Sequence, residues 1–563
     1  MLLSLYSKQL FTFMKKLFTF LVSMGLLLSP DLSRGDIQFN DISFESGVAD
    51  LAVNSSGPSF VDYDNDGDID IYVVTEYHGT NQGNRLFEND GSGNFTDVAL
   101  LRGVDNQTGL GRGASWGDYD NDGDADMVIS NMPPSGRSKH TPTTLYRNLL
   151  IETGEPNFKD VTREANLMRA GNTNDQKIGG IGSTSGGVAW ADYDNDGDLD
   201  LFWKCAEYDV DNALFRNNGD GTFTDVTTEA GVGILDVVME ANSQGSPNWT
   251  DADLDGWIDL LITNEGDKKI LFLNQGDSTF KNITDSFKPP SASAFLNPGN
   301  ANGACIGDID NDGDMDVFLP TADQSNRLYI SQLIDTGDLF FKDITLTSGI
   351  DHKSGARGCA MGDFDNDGLI DIYVNNGGFQ NTLINDIIDM PIFVQFYIAI
   401  EPAYNKLFRN NGNLTFSDVT NQSGAEGFGV GSGVGAADIN DDGFLDLFFT
   451  NRTFYTGEQQ ITESGRNYLL QNRGNDNNWI KIDLRGNRSN VDGYGAKVKV
   501  VAGDLTQHRE HNSAHGYNSA NDLRLHFGLA GKEEIDLIEI IWPNGSIQQL
   551  TKVAVNQTLS IKE

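Results

Sequence analysis

Asp62-Tyr63-Asp64-Asn65-Asp66-Gly67-Asp68-Ile69-Asp70 decides the fold of this 563-residue chain, because the same acidic phrase is written seven times. The copies begin at Asp62, Asp118, Asp192, Asp251, Asp308, Asp363 and Asp438, in steps of 56, 74, 59, 57, 55 and 75 residues. A recurrence near 55 residues with two longer steps marks a repeat architecture that carries insertions.

The phrase reads as a loop around a hard cation. Oxygen-bearing side chains at alternate positions 1, 3 and 5, Gly at 6 and a carboxylate at 9 match the opening of a calcium loop, and calcium takes about six to eight oxygen ligands. In the first copy Asp62, Asp64, Asp66 and Asp70 offer side-chain oxygens, Asp68 at position 7 offers its carbonyl, and Gly67 permits the sharp turn. The corresponding sets are Asp118, Asp120, Asp122, Asp124 and Asp126; Asp192, Asp194, Asp196, Asp198 and Asp200; and Asp251, Asp253, Asp255, Trp257 and Asp259. Asp308, Asp310, Asp312, Asp314 and Asp316 follow, then Asp363, Asp365, Asp367, Leu369 and Asp371, and last Asp438, Asn440, Asp442, Phe444 and Asp446. Up to seven calcium ions are expected. The extra carboxylates at position 7 (Asp68, Asp124, Asp198, Asp314) are expected to face water, since only the carbonyl is needed there. Asn440 removes a formal charge, so the seventh loop is expected to bind most weakly. No copy continues to the Glu at position 12 of an EF-hand, and the residues after position 9 are β-prone, which suggests affinities of about 10⁻⁴ to 10⁻³ M.

Apolar runs follow every loop, from Ile71-Tyr72-Val73 to Leu447-Phe448-Phe449, and read as buried strands. A Gly-rich stretch precedes each loop, with Phe60, Trp116, Trp190, Trp249, Ile306, Met361 or Ala436 two places before the first Asp. Phrases such as Leu86-Phe87-Glu88-Asn89-Asp90-Gly91 and Phe95-Thr96-Asp97-Val98 add a hairpin. Four strands per unit make one propeller blade. The fourth-strand phrase begins at Phe39, Phe95, Phe158, Phe223, Phe280, Phe341 and Phe416, out of register with the loops. The first copy is therefore expected to complete the seventh blade and close the ring. These units resemble FG-GAP/VCBS repeats, the blades of the integrin α-subunit propeller. The fold class is all-β: a seven-bladed β-propeller with calcium-binding hairpin loops over residues 36–475, followed by a small all-β C-terminal domain over 476–563.

From Trp479 the pattern changes to alternation, with Ile480, Ile482 and Leu484 on one face, then Val498 and Val500, then Ile538, Ile540 and Trp542. Asn490-Val491-Asp492-Gly493-Tyr494-Gly495-Ala496, His515-Gly516-Tyr517-Asn518-Ser519, Leu525-His526-Phe527-Gly528-Leu529 and Trp542-Pro543-Asn544-Gly545 resemble the ASPIC/UnbV domain. Propeller plus this domain is similar to the layout of the cartilage acidic protein family. That resemblance implies a secreted calcium-binding protein and supplies no reaction.

A net charge of −43 argues against nucleic acid or an anionic membrane as partner. Much of it is ligand, since the seven loops hold 32 Asp. Residues 1–35 read as an export signal, with Lys15-Lys16 before the apolar run Leu17 to Leu28, too short to span a bilayer, and Met14 an alternative start. The expected location is secreted: extracellular, periplasmic or cell-surface. Arg34-Gly35-Asp36 falls at the expected cleavage point and reads as incidental. Of Cys205, Cys305 and Cys359, the last two occupy nearly equivalent places on neighbouring inner strands and read better as buried small apolar residues than as a bridge. His508, His511, His515 and His526 read as solvated strand histidines, and the insertion Phe379 to Tyr404 as an apolar cover or a partner surface.

Two functions follow. One is extracellular binding or adhesion, with the ring offering its loop faces to a protein or glycan. The alternative is an exported enzyme acting on polysaccharide or a secondary metabolite, with His515 and Tyr517 as the tail residues to test. No catalytic set stands out, and the oligomeric state is open.

Overall fold

Each acidic loop joins an inner strand to the apolar run behind it, and two further strands complete an antiparallel sheet of four. In the computed structural model the first sheet runs Ser55–Val61, Asp70–Thr75, Arg85–Asn89 and Phe95–Asp97. The structure describes residues 36–563 apart from 50–53, 77–82, 107–110, 132–142, 168–185, 205–211, 234–244, 265–268, 285–298, 354, 381–398, 402, 453, 457–458 and 462–464. The expected export signal and the heart of the insertion therefore lie outside the described residues. Between Phe379 and Tyr404 only the flanks are described, where Gly378–Gln380 pairs with Ala399–Glu401.

The second to sixth repeats repeat this strand order, and the seventh is completed from the other end of the chain. Phe39 pairs with Asn472, Asn40 with Gln471 and Asp41 with Leu470, so Phe39–Asp41 is the outer strand beside Tyr468–Asn472. This is the closure that the out-of-register phrase demands. Apolar side chains fill the space between neighbouring sheets. Tyr72, Val74, Trp116, Met127 and Ile129 lie between the first and second, and Phe60, Ile71, Phe448 and Leu469 between the seventh and first. Cores of the same kind fill the other five junctions, so the sheets form a cycle, a propeller-like fold in which each sheet keeps only short edge strands.

An asparagine at the end of the third strand pins six of the seven junctions. The Asn274 amide donates to Tyr193 O of the preceding repeat at 2.7 Å and to Ile258 O of its own loop at 3.2 Å. Asn89, Asn148, Asn217, Asn410 and Asn472 do the same. The fifth repeat has Ser331 at that place, too short to reach across. Asn274→Ala leaves buried carbonyls without donors and should cost about 1–3 kcal/mol in urea unfolding, while Ser331→Ala should cost less.

After Asn472 the chain builds two small sheets. One holds Leu525–Ala530, Asn478–Arg485 and Thr558–Lys562; the other holds Leu505–Glu510, Lys497–Ala502, Glu534–Ile541 and Ile547–Ala554. Alternation puts Ile480, Ile482, Val498, Val500, Ile538, Ile540 and Trp542 into a shared core. The Glu563 carboxylate ties the end down by accepting the N–H groups of Asn487, Arg488 and Ser489 at 3.0, 2.8 and 2.9 Å. Burial works against the charged form, but the bonds from Ser489, Asn487 and Arg488, with the Asn544 amide, hold its carboxyl down to about 2. A depressed pKa contributes stability above the unfolded value near 4.5 that is lost as pH falls toward 2. Glu563→Gln should therefore be less stable than wild type at pH 6, and the difference should close by pH 2 in parallel thermal melts.

Two expectations from the sequence fail here. Cys305 and Cys359 form a disulfide across the inner strands of the fifth and sixth sheets, with Cα atoms 6.1 Å apart. Equivalent places on adjacent inner strands bring the Cα atoms within bridging range. The histidines are not solvated strand residues either. His511 and His515 are buried and half-buried, respectively, because the strand ends at Glu510 and the following segment turns into the ring. His508 and His526 do lie on strands but face the acidic loops, His508 half-buried beside Asp308 and His526 buried beside Gly443 O.

Candidate metal centres

The loop geometry is the same seven times. Gly67, Gly123, Gly197, Gly256, Gly313, Gly368 and Gly443 all have φ between 88° and 107°, a conformation that only glycine adopts readily. Each donates its N–H to the carboxylate at position 1, as Gly67 does to Asp62 Oδ2 at 3.0 Å and Gly368 to Asp363 Oδ2 at 2.7 Å. Position 4 is left-handed as well, and it is Asn65, Asn121, Asn195, Asn311 or Asn366 in five copies, with Leu254 and Asp441 in the others. Sequence reasoning passed over this position. Its side chain links neighbouring loops, since Asn65 donates to Gly123 O, Asn311 to Gly368 O and Asn366 to Gly443 O at 3.0–3.1 Å. The carboxylate at position 9 accepts the N–H of the third strand, as Asp70 does from Asn89 and Asp259 from Asn274, both at 2.8 Å.

These bonds leave oxygens facing one another. Asp62 Oδ1, Asp64 Oδ1, Asp70 Oδ2, Asp120 Oδ1, Asp194 Oδ1, Asp365 Oδ1 and Asn440 Oδ1 are buried and accept no hydrogen bond. Carboxylate oxygens of Asp62, Asp64 and Asp66 lie within 4.8 Å of one another, and so do those of Asp118, Asp120 and Asp122, of Asp192, Asp194 and Asp200, and of Asp251, Asp253 and Asp255. Burial first, and then the charges of Asp64 and Asp66, push the Asp70 carboxyl up to about 9; burial and Asp253 do the same to Asp259. Charged together, these groups need a cation among them. Orphaned acceptors, converging oxygens and an all-oxygen donor set fit a hard divalent ion. In the seventh loop the Asn440 amide donates to Asp442 Oδ2 at 3.0 Å, occupying a ligand oxygen.

Position 7 departs from expectation. Asp68 and Asp198 are half-buried, but Asp124 and Asp314 are fully buried, each accepting a backbone N–H from a short helix that follows the third strand, Ile151 and Ile334 respectively, at 2.9 Å. Those helices, Leu150–Thr153 and Leu333–Thr336, occur only in the second and fifth repeats among the described residues.

The C-terminal sheets sit against the loop face. Lys481 donates to Asp438 Oδ2 at 2.6 Å and also reaches Asp441; Lys497 pairs with Asp251, and His508 Nδ1 lies 3.0 Å from Asp308 Oδ2. Asp492 accepts Asp118 N–H at 2.8 Å and Glu510 accepts Asp251 N–H at 2.9 Å. Ala530 N–H donates to Asn366 O at 2.7 Å. Trp479 packs on the seventh loop, where a Cβ on Gly443 would be 1.8 Å from its ring. Lys481, Lys497 and His508 each reach the position-1 Oδ2 that also accepts the loop glycine's N–H.

Between the two sheets the chain dips into the ring's channel. Ser513 Oγ donates to Trp190 O at 2.6 Å, Gly516 N–H to Ala304 O at 2.8 Å, Asn518 N–H to Ser246 Oγ at 3.1 Å and Ala520 N–H to Pro58 O at 3.1 Å. Inner-strand glycines make room: a Cβ on Gly57 would lie 1.8 Å from Asn518 O, one on Gly433 2.3 Å from Ser519 Oγ, and one on Gly303 2.7 Å from Tyr517 N. Tyr517 is buried, its hydroxyl 3.4 Å from Arg452, and Arg452 and Arg112 both pair with Glu76. His515 and Tyr517, the tail residues singled out for catalysis, thus belong to a packed plug.

Known proteins agree with both halves of the chain. Residues 40–129, 251–319, 308–374 and 395–449 match the FG-GAP-like repeat family, and residues 486–563 match the ASPIC and UnbV family. Human cartilage acidic protein 1 is 24% identical over 87% of this chain and 69% of its own length, and the Mus musculus protein 23% identical over 96% and 81%. The chain is an FG-GAP-repeat protein with an ASPIC/UnbV domain, homologous to cartilage acidic protein 1. Among solved structures, the N-terminal part of BBS1 in complex with ARL6 aligns at TM-score 0.40 and 8% identity over 77% of this chain and 96% of its own. A Bacillus licheniformis rhamnogalacturonan lyase aligns at 0.37 and 12% over 77% and 75%. FG-GAP repeats often bind calcium, and the homology points to an extracellular type of protein. No helix among the described residues is long and apolar enough to cross a membrane.

Proposed function

We propose that this FG-GAP and ASPIC/UnbV chain is a secreted calcium-binding propeller, dividing near residue 475, that acts by binding an extracellular protein or glycan. The observation that carries the calcium reading is the set of buried carboxylate oxygens, in loop after loop, that accept no hydrogen bond and face one another. Calcium stiffens the loop face, and that face serves the protein's own C-terminal domain. An outside partner then meets the opposite face, the rim or the outer surface of the tail. The filled channel supports binding over catalysis there, because Ser513 to Ala520 occupy the place a substrate would take. The disulfide supports an oxidising compartment.

A glycan array and a pull-down from extracellular material, each run with intact protein in calcium and in EDTA, test this reading. Calcium-dependent capture of one protein or glycan class supports it; turnover of a polysaccharide with no such capture would move the protein to the enzyme class.

A further inference from the structure

The buried position-7 carboxylates of the second and fifth repeats are unexplained by a single ion per loop. In a loop of this kind position 7 lends only its carbonyl, and its side chain has no reason to leave water. Yet Asp124 is 2% exposed and Asp314 0%. In each, Oδ2 accepts a backbone N–H while Oδ1 is buried and accepts nothing. A buried, uncompensated carboxylate oxygen is costly, and here it occurs twice in the same local structure.

Both repeats add an acidic residue beside it. The sequences after the third strand are Leu150-Ile151-Glu152-Thr153 and Leu333-Ile334-Asp335-Thr336. In the second repeat, carboxylate oxygens of Asp122, Asp124 and Glu152 lie within 4.8 Å of one another, separate from the group made by Asp118, Asp120 and Asp122. Asp122 belongs to both groups, and its Oδ2 is also buried without a hydrogen bond. Repeats one and three, whose position-7 residues are Asp68 and Asp198, lack the acidic helix and leave those side chains half-exposed.

We infer that the second and fifth repeats each hold a second divalent cation, bridged to the loop ion through Asp122 or Asp312 and bound by Asp124 with Glu152, or by Asp314 with Asp335. All donors are oxygens, so the ion is of the calcium type. The two sites differ in one respect. In the second repeat the Arg147 guanidinium sits 3.0 Å from Asp120 Oδ2 and 3.9 Å from Asp122 Oδ2 and touches Glu152, so a metal must displace it. The fifth repeat has the buried Ile330 at that point of the strand, and its site is the tighter one.

The inference rests on the calcium reading, and the test separates the two. Bound calcium is counted by equilibrium dialysis of the full-length protein, wild type beside Glu152→Ala, Asp335→Ala, the double variant, Asp198→Ala and Asp308→Asn. Glu152 and Asp335 are exposed, so their replacement leaves the core intact. The expected result is one ion fewer for each of the two single variants, two fewer for the double, and no loss for Asp198→Ala, with Asp335→Ala removing the ion that fills at the lower free calcium. If the double variant binds as many ions as wild type while Asp308→Asn binds fewer, the second sites are overturned and the loop sites stand. A wild-type protein that takes up no calcium overturns both.

Discussion

Chelation is expected to lower the melting temperature of this protein by an amount on the order of 10 °C, read by calorimetry in 10 mM calcium against excess EDTA. A ligand that binds only the folded state stabilises it by RT ln(1 + [L]/Kd), about 1.4–2.7 kcal/mol per site when calcium is 10 to 100 times the dissociation constant. Seven independent sites of that kind contribute roughly 10–19 kcal/mol, against an unfolding entropy near 1.1 kcal/mol/K for about 530 ordered residues. The carboxylates supply a second signature. Asp70 and Asp259 are pushed up to about 9 without metal, chiefly by burial, so in the native state they keep protons that the unfolded chain releases near pH 4. The calcium-free protein should therefore lose stability as pH rises from 4 toward 9. Calcium should reverse the slope, since it binds the ionised groups. A melting curve that is the same in calcium and EDTA at pH 8 would remove the metal from the account.

How legible all this is from sequence depends on whether the determining contacts are local. The loop, its turning glycine and the strand behind it are nine to twelve neighbouring residues, and they recur at a spacing that names the repeat. Closure by Phe39–Asp41 is a contact across more than 400 residues, yet it is legible because the fourth-strand phrase is counted once too early and is missing at the end. The docking of the tail has no such marker. Lys481 on Asp438, Lys497 on Asp251 and His508 on Asp308 join residues that carry no shared pattern, and an alternating strand does not say which of its polar residues meets a second body. The burial of Asp124 and Asp314 was hidden for a different reason: it depends on four helical residues that follow the third strand, a stretch too short to show a helical period. His511 and His515 were misplaced because strand periodicity was carried past Glu510, where the strand ends and the plug begins; His508 and His526 are strand residues as expected, and only their contact with the loops was hidden. The repeated unit is legible in the sequence, and the plug, which occurs a single time, is not.

That single element yields the sharpest mutational expectation. Gly57 and Gly433 lie on adjacent inner strands where the plug passes, and their α-carbons face backbone as well as side chains. A methyl group on Gly57 would be 1.8 Å from Asn518 O and 2.6 Å from its carbonyl carbon, and one on Gly433 2.3 Å from Ser519 Oγ and 2.6 Å from Gly57 Cα. Neither glycine has a positive φ, so the obstacle is space alone. Overpacking of a filled interior costs about 1–3 kcal/mol per site, and more where backbone must move. Gly57→Ala is expected to lower the unfolding free energy measured in urea by that amount and Gly57→Ala/Gly433→Ala to push the segment out of the channel. Expulsion breaks the bonds from Gly516 to Ala304, Ala520 to Pro58 and Asp522 to Ala436 together, so the amides of residues 516, 520 and 522 should exchange with deuterium far faster while those of the ring strands stay protected. Gly531→Ala, where a methyl group meets nothing within 4 Å, is the matched control and should change neither quantity. Were the double variant as stable as the control, with residues 516–522 still slow to exchange, the channel would have to be wider than the plug that fills it, and the ring and its tail would be two bodies in place of one.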